Sequence, residues 1–260
     1  MNYKKISNLV GLGLFITVCA PLAGVVVSTK DAELVAARIY KNECSSKPEN
    51  LVHWNAGEEF ISLGIGHFIW YPENWHGPFD EQFPQFVQYC KNQGVSLIPF
   101  LQEHAHCPWK DRASFLDSKN AQQVADLRAF LLQTQSLQAK FIAERLSKAL
   151  VMMTAGLSEK QKNLITRRFD VLAATPQGLY ALIDYVNFKG EGTSPKERYN
   201  NEGWGLLQVL QEMSDEGDVL AAFRKSAKAV LARRVANSPP DRNEGRWLQG
   251  WNNRIDTYTP

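Results

Sequence analysis

The sequence predicts an α+β fold dominated by helix, built as a small β-hairpin lobe, a long connecting helix and a C-terminal helical lobe. Three observations carry this expectation. Apolar residues recur at helical spacing over residues 31–43 and again from 121 almost to the end. Between them, residues 53–70 are β-branched, aromatic and rich in glycine, which reads as a hairpin or small sheet. Residues 71–119 are crowded with Pro and aromatic residues, which fits loops and short helices.

In chain order, the first helix spans 31–43, with Leu34, Val35 and Ile39 on its apolar stripe and Tyr40 widening it. A regular strand over 58–62 sets Glu58 and Ser62 on one face and Glu59 on the other, because strand side chains alternate. One long helix is expected over 121–153, with Leu127, Phe130, Leu131 and Leu137 in the core. Shorter helices follow near 158–175, 177–188, 204–213, 217–236 and 240–256. Pro176, the Gly190–Gly192 loop, Gly203 and the pair Pro239 and Pro240 mark their boundaries.

The chain's 260 residues suffice for one domain, 28–260, of two lobes meeting near residue 119. Hydrophobic residues make up 44% and charged residues 22%, the profile of an ordinary globular chain. A net charge of +2, part of it from Lys4 and Lys5, gives no long-range attraction to nucleic acid, so no nucleic-acid partner is expected. Lys4 and Lys5 precede an apolar stretch from Leu9 to Val27, within which a small-residue exit lies near Ala20–Gly24. This is the pattern of a signal peptide over 1–27 or, if uncleaved, of an N-terminal anchor giving inner-membrane association. Val18 is bulkier than the residue that usually precedes a lipidated cysteine, which argues against a lipid anchor at Cys19. Cys44, Cys90 and Cys107 remain. Two of them could pair in an oxidising compartment, and the sequence does not say which. His104, His106 and Cys107 lie close together, but no second ligand pair stands at zinc-site spacing, so neither metal nor cofactor is expected.

Glutamates carry the most pointed chemistry. Glycoside cleavage needs a carboxylic acid beside the bridging oxygen, and a second group that stabilises the cationic centre or activates water. An apolar setting makes a carboxyl a proton donor. Glu43, at the end of the first helix, fits the first role. Glu58, with Ser62 on the same face, fits the second, and Glu59 is its competitor. The loop from Asn187 through Lys189, Glu191, Arg198 and Tyr199 to Trp204 joins polar groups to aromatic faces between two apolar helices. Together with Tyr185 it reads as a substrate-binding wall, or else as a loop whose charges pair with one another.

Glu43, the acidic hairpin, and Ser62-Leu63-Gly64-Ile65-Gly66-His67 together resemble the phage-type lysozymes. In that family a glutamate ends the first helix, and a hydroxyl residue shortly precedes Gly-Ile-Gly-His. Ala181–Val186 followed by Gly190-Glu191 is similar to the family's central buried helix. Leu206–Gln211 is similar to the next short helix, and Arg242–Tyr258 to the closing helices. The resemblance covers residues 31–70 and 177–258, and it implies a lysozyme-like fold. Ala56 stands where the family has its aspartate, so the second carboxylate is open between Glu58 and Glu59. If neither serves, the chain is closer to the lytic transglycosylases, which manage with one glutamate. Tyr185–Gly190 loosely resembles their Ala-Tyr-Asn-Ala-Gly motif. His67 joins the substrate-binding candidates, although a packed place behind the hairpin is the plainer expectation.

The resemblance implies a monomeric bacterial muramidase or lytic transglycosylase, periplasmic or secreted. It would cut peptidoglycan glycan strands between N-acetylmuramic acid and N-acetylglucosamine. A chitosanase or chitinase, an inactive envelope glycan-binding protein, and an inhibitor of another wall enzyme are the alternatives.

Overall fold

A computed structural model describes residues 27–75, 77, 79–195 and 197–259. The expected targeting segment lies outside them except for Val27. Among the described residues the protein is mainly helical, with eleven α-helices and two small antiparallel sheets. No helix among them is long and apolar enough to cross a membrane.

Helix α1, Thr29–Cys44, starts at Ser28, whose hydroxyl accepts the Asp31 N–H at 3.1 Å, and stops where Ser45 turns left-handed. Such a cap satisfies one of the orphan amides of the first turn. Its buried stripe is Ala32, Val35, Ala36 and Ile39. Leu34, expected on that stripe, is half exposed, since it lies one position, about 100°, away from Val35.

Strands β1 (Val52–His53), β2 (Ile61–Leu63) and β3 (Phe68–Trp70) form the first sheet, with Val52 opposite Leu63 and Ser62 opposite Ile69. The strand expected over 58–62 is shorter. Residues 56–57 are turn, Glu58 has no regular structure, 59–60 are bend, and β2 begins only at Ile61. Gly57 at φ +88° and the Glu58 N–H bonded back to the Asn55 carbonyl close that turn. The alternation that would set Glu58 beside Ser62 therefore does not apply.

The Pro- and aromatic-rich segment forms α2 (Phe83–Asn92), α3 (Pro99–Glu103) and α4 (Arg112–Phe115). Its rings pack on the sheet: Trp70 meets Phe83 and Phe100, Phe68 meets Phe86, and Trp54 meets Phe115.

The single long helix expected over 121–153 is two, α5 (Ala121–Gln133) and α6 (Gln135–Thr154). Thr134 breaks it. Its hydroxyl donates to the Phe130 carbonyl at 2.8 Å, the back-bond that bends helices. Gln138 is fully buried and repairs the junction. Its Nε2 donates to the Leu131 carbonyl at 2.7 Å, and its Oε1 accepts the Ile65 N–H at 2.8 Å. This clasp explains the glycines of the 64–67 motif. Gly64 sits at φ +72°, and a Cβ there would overlap the Gln138 side-chain Oε1. A Cβ on Gly66 would overlap the Phe68 ring.

Helix α6 packs against α1, α2, α7 (Glu159–Ala173) and α8 (Pro176–Lys189), and so joins the sheet region to the C-terminal helices. Helix α8 is the interior helix, buried without interruption from Gly178 to Tyr185. A hairpin follows, β4 (Arg198–Tyr199) and β5 (Glu202–Gly203), inside the segment read from sequence as loop. Helices α9 (Leu206–Glu212), α10 (Val219–Asn237) and α11 (Gly245–Asp256) complete the chain.

Cys44, Cys90 and Cys107 are all buried and unpaired, so the disulfide considered from sequence is absent among the described residues. Burial pushes the Cys44 thiol up to about 11, and those of Cys90 and Cys107 up to about 12. His104 packs edge-on against Phe100, and Cys107 is bonded to the Trp109 carbonyl.

Candidate functional site

Helix α1 delivers Glu43 in its last turn, with a side chain 22% exposed. Two residues from distant parts of the chain meet it. Arg254 of α11 donates from Nη2 to Glu43 Oε1 at 2.7 Å, and His67, just after β2, places Nε2 3.8 Å from Glu43 Oε2. His67 is at φ 48°, in the turn that follows Gly66, and its side chain is 43% exposed. It stands beside the carboxylate rather than behind the hairpin. The apolar setting expected for Glu43 is not present. A guanidinium and an imidazole are its neighbours.

Arg254 is itself pinned. Its Nε and Nη2 donate to the two carboxylate oxygens of Asp184 at 2.9 and 2.7 Å. Asp184 is 2% exposed and also accepts the Tyr258 hydroxyl at 2.6 Å. A buried carboxylate demands this kind of pairing. Burial alone would lower the proton affinity of Arg254, but the Asp184 hydrogen bonds and charge, then Glu43, outweigh it and raise it above the usual range. Burial, then Asp184, also pushes the Tyr258 hydroxyl well up and that of Tyr180 up to about 12. Asn42 donates to Tyr180, which ties the end of α1 to α8. Asp184 and Arg254 were absent from the candidates read from sequence. A lone acid inside the apolar run Ala181–Val186 is itself a signal, because an unpartnered charge would not be tolerated there. Its partner, seventy positions later, has no such mark.

Comparison of the chain with family models, curated proteins and solved structures gives no match. The remaining candidates stand on geometry alone.

Glu58 accepts from Asn55 Nδ2 at 2.9 Å within its own turn, and its carbonyl takes the Trp54 indole N–H. Glu59 is exposed on the same turn. Neither is bonded to Glu43, His67 or Arg254. Ser62 is 6% exposed in the central strand, so its hydroxyl has little access to a ligand. Tyr185 is fully buried, with its hydroxyl on the Trp204 carbonyl at 2.9 Å, and is a core residue rather than a binding one. Trp204 is 7% exposed because it packs on Tyr199 and the Arg234 guanidinium. Tyr199 donates to Glu244, which also holds Arg234 through two 2.8 Å bonds. Arg198 is exposed and reaches back to the Asn201 and Gly192 carbonyls. Tyr199 and Trp204 hold the β4–β5 hairpin against α10 and α11 through Arg234 and Glu244, and Arg198 bonds to backbone carbonyls rather than to a loop carboxylate.

Lys189 is 9% exposed, and its Nζ lies 3.4 Å from the Trp251 ring centre and 4.0 Å from that of Phe188. Burial, then the Arg234 charge, pushes its amine down to about 7, against the pull of Glu244. Asn187 and Glu191 do come together. With Arg145 of α6 they line a cavity of about 110 Å³ between α6 and α8, floored by Ile183 and Val186. Burial raises the Glu191 carboxyl, and Glu197 adds to this while Arg145 opposes it.

Proposed function

We propose that the protein is a lysozyme-like, two-lobed glycosidase of bacterial peptidoglycan, with Glu43 as its acid. The observation that carries the reading is the meeting at Glu43. A partly exposed carboxylate ends the first helix, flanked by the histidine of the Gly-Ile-Gly-His turn and by an arginine from the closing helix, with the hairpin beside it. The resemblance to phage-type lysozymes implies the glutamate at the end of the first helix and the hairpin after it, and the flanking by His67 and Arg254 is added by the geometry. In this reading Glu43 protonates the bridging oxygen. Arg254, fixed by Asp184, and His67 hold the carboxylate in position, and Asn187 of α8 and Glu191 just after it bind the glycan.

With Ala56 at the family's aspartate position and Glu58 engaged by Asn55, one carboxylate serves. Single-acid chemistry favours attack by the muramic acid's own 6-hydroxyl, which makes a lytic transglycosylase the preferred form. A second reading, an inactive glycan-binding protein, is favoured by the ion pair that occupies Glu43. Mass spectrometry of products from purified sacculi separates the two. Products ending in 1,6-anhydro-muramic acid, abolished by Glu43→Gln, support the first. Intact sacculus binding without products supports the second. Products lost in Glu191→Gln but not in Glu43→Gln would move the acid to Glu191.

A further inference from the structure

Tyr185, Tyr199 and Trp204 take part in the packing of the fold, yet Phe188 and two rings of α11 form a partly exposed strip joined to Glu43 through Arg254. Phe188 lies in the last turn of α8, and its ring lies under the Arg254 guanidinium, 4.7 Å from the ring centre. Trp251 adjoins Phe188, with ring centres 6.5 Å apart, and Trp247 adjoins Trp251 at 6.1 Å. Trp247, Trp251 and Arg254 share one face of α11 because they are four and three residues apart. The strip extends from Arg254 for seven residues, about 10 Å of helix rise. Trp247 is 42% exposed, while Phe188 and Trp251 are partly so.

Three features distinguish this strip from a scattered exposed residue. It is continuous with the Glu43 site, since Arg254 touches both Glu43 and Phe188. Its rings are held in advance, because Lys189 lies against Trp251 and the Arg246 guanidinium lies 4.5 Å from the Trp247 ring centre. Rings already fixed lose little freedom on binding. Its flanking cation Arg246 complements an anionic polymer, whereas the Arg254 charge is already met by Asp184 and Glu43.

We propose that Phe188, Trp251 and Trp247 form a stacking platform that extends the glycan site along α11 and binds further sugar rings of a carboxylate-bearing N-acetylated polysaccharide. This rests on the glycosidase reading. Sugar C–H faces pack on the rings, and Arg246 meets the lactyl or peptide carboxylates.

The test uses the full chain in mild detergent, carrying Glu43→Gln to stop turnover. Binding of peptide-free glycan strands of defined length is followed by tryptophan fluorescence. Adding Trp247→Ala weakens binding of long strands by about fivefold, the scale of one aromatic contact, and leaves a disaccharide unaffected. Trp247→Phe restores most of the loss. Trp247 lies at the surface, so an unchanged melting temperature verifies the fold, and Trp247→Gln, which also lacks a ring, serves if the alanine variant fails to fold. Equal binding of long strands with and without Trp247→Ala overturns the platform, as does capture of anionic lipid vesicles through Trp247 with strand binding unchanged. Either result leaves the glycosidase reading intact as long as Glu43-dependent products form. Absence of such products overturns that reading instead.

Discussion

Replacing Asp184 tests whether the Glu43 site is held from behind. Asp184→Ala removes three hydrogen bonds from a side chain that is 2% exposed. Tyr258 is fully buried, and its hydroxyl then lacks an acceptor, which costs about 1–3 kcal/mol. Breaking a fully buried ion pair costs about 3–5 kcal/mol. Arg254 is 33% exposed and keeps Glu43, so roughly 1–2 kcal/mol is the appropriate share after solvent screening. The sum is about 2–5 kcal/mol. For a chain of this size each kcal/mol moves the midpoint by roughly 2–4 °C, so circular dichroism melting should show a fall of about 4–20 °C. Asp184→Asn keeps an acceptor for Tyr258 and should fall about half as far. A fall below about 2 °C for Asp184→Ala would refute the idea that Asp184 anchors Arg254.

Gln138→Leu leaves the buried Ile65 N–H and the Leu131 carbonyl without their partner, and should cost about 2–4 kcal/mol in urea unfolding. An unchanged midpoint would mean that the hairpin is not tied to the helix break. Lys189→Met should stabilise the fold at pH 6 by roughly 3 kcal/mol. A fall of the amine from 10.5 to about 7 corresponds to about 5 kcal/mol, of which the ring contacts return about 1–2. The unfolded lysine binds the extra proton between pH 7 and 10.5, so wild-type stability rises with pH across that window. The advantage of Lys189→Met should shrink in step, and a pH-independent difference would contradict the placement of Lys189. The thiols of Cys44, Cys90 and Cys107, buried and pushed up, should react with a thiol reagent at least about a hundredfold more slowly in the folded protein than in urea. Fast native labelling of these three would show that the core around them opens.

Much of the helical layout was legible because local pattern fixes it. Val35 and Ile39 recur at helical spacing and are buried, although Leu34, expected on the same stripe, is exposed, and Pro176 and the glycines at 190 and 192 mark the ends of α8. The misreadings share one cause, which is tertiary contact outweighing local pattern. Thr134 interrupts an otherwise helical run because Gln138 is there to satisfy the freed carbonyl. Residues 58–60 carry strand-compatible side chains, yet Gly57 and the Asn55–Glu58 bonds fold them into a turn. Tyr185 and Trp204 are amphipathic, and sequence alone could not tell a ring facing a cleft from one whose polar edge is satisfied inside. Glu43 and His67 were legible as members of a spaced motif. Arg254 was not, because nothing local links it to a glutamate 211 positions away.

The most direct measurement is mass spectrometry of soluble products released from purified sacculi by the full chain and by its Glu43→Gln variant. Muropeptides ending in 1,6-anhydro-muramic acid from the wild type, and none from Glu43→Gln, are the expected result. Products from both proteins alike, or from neither while both bind sacculi, would contradict the assignment of Glu43 as the acid.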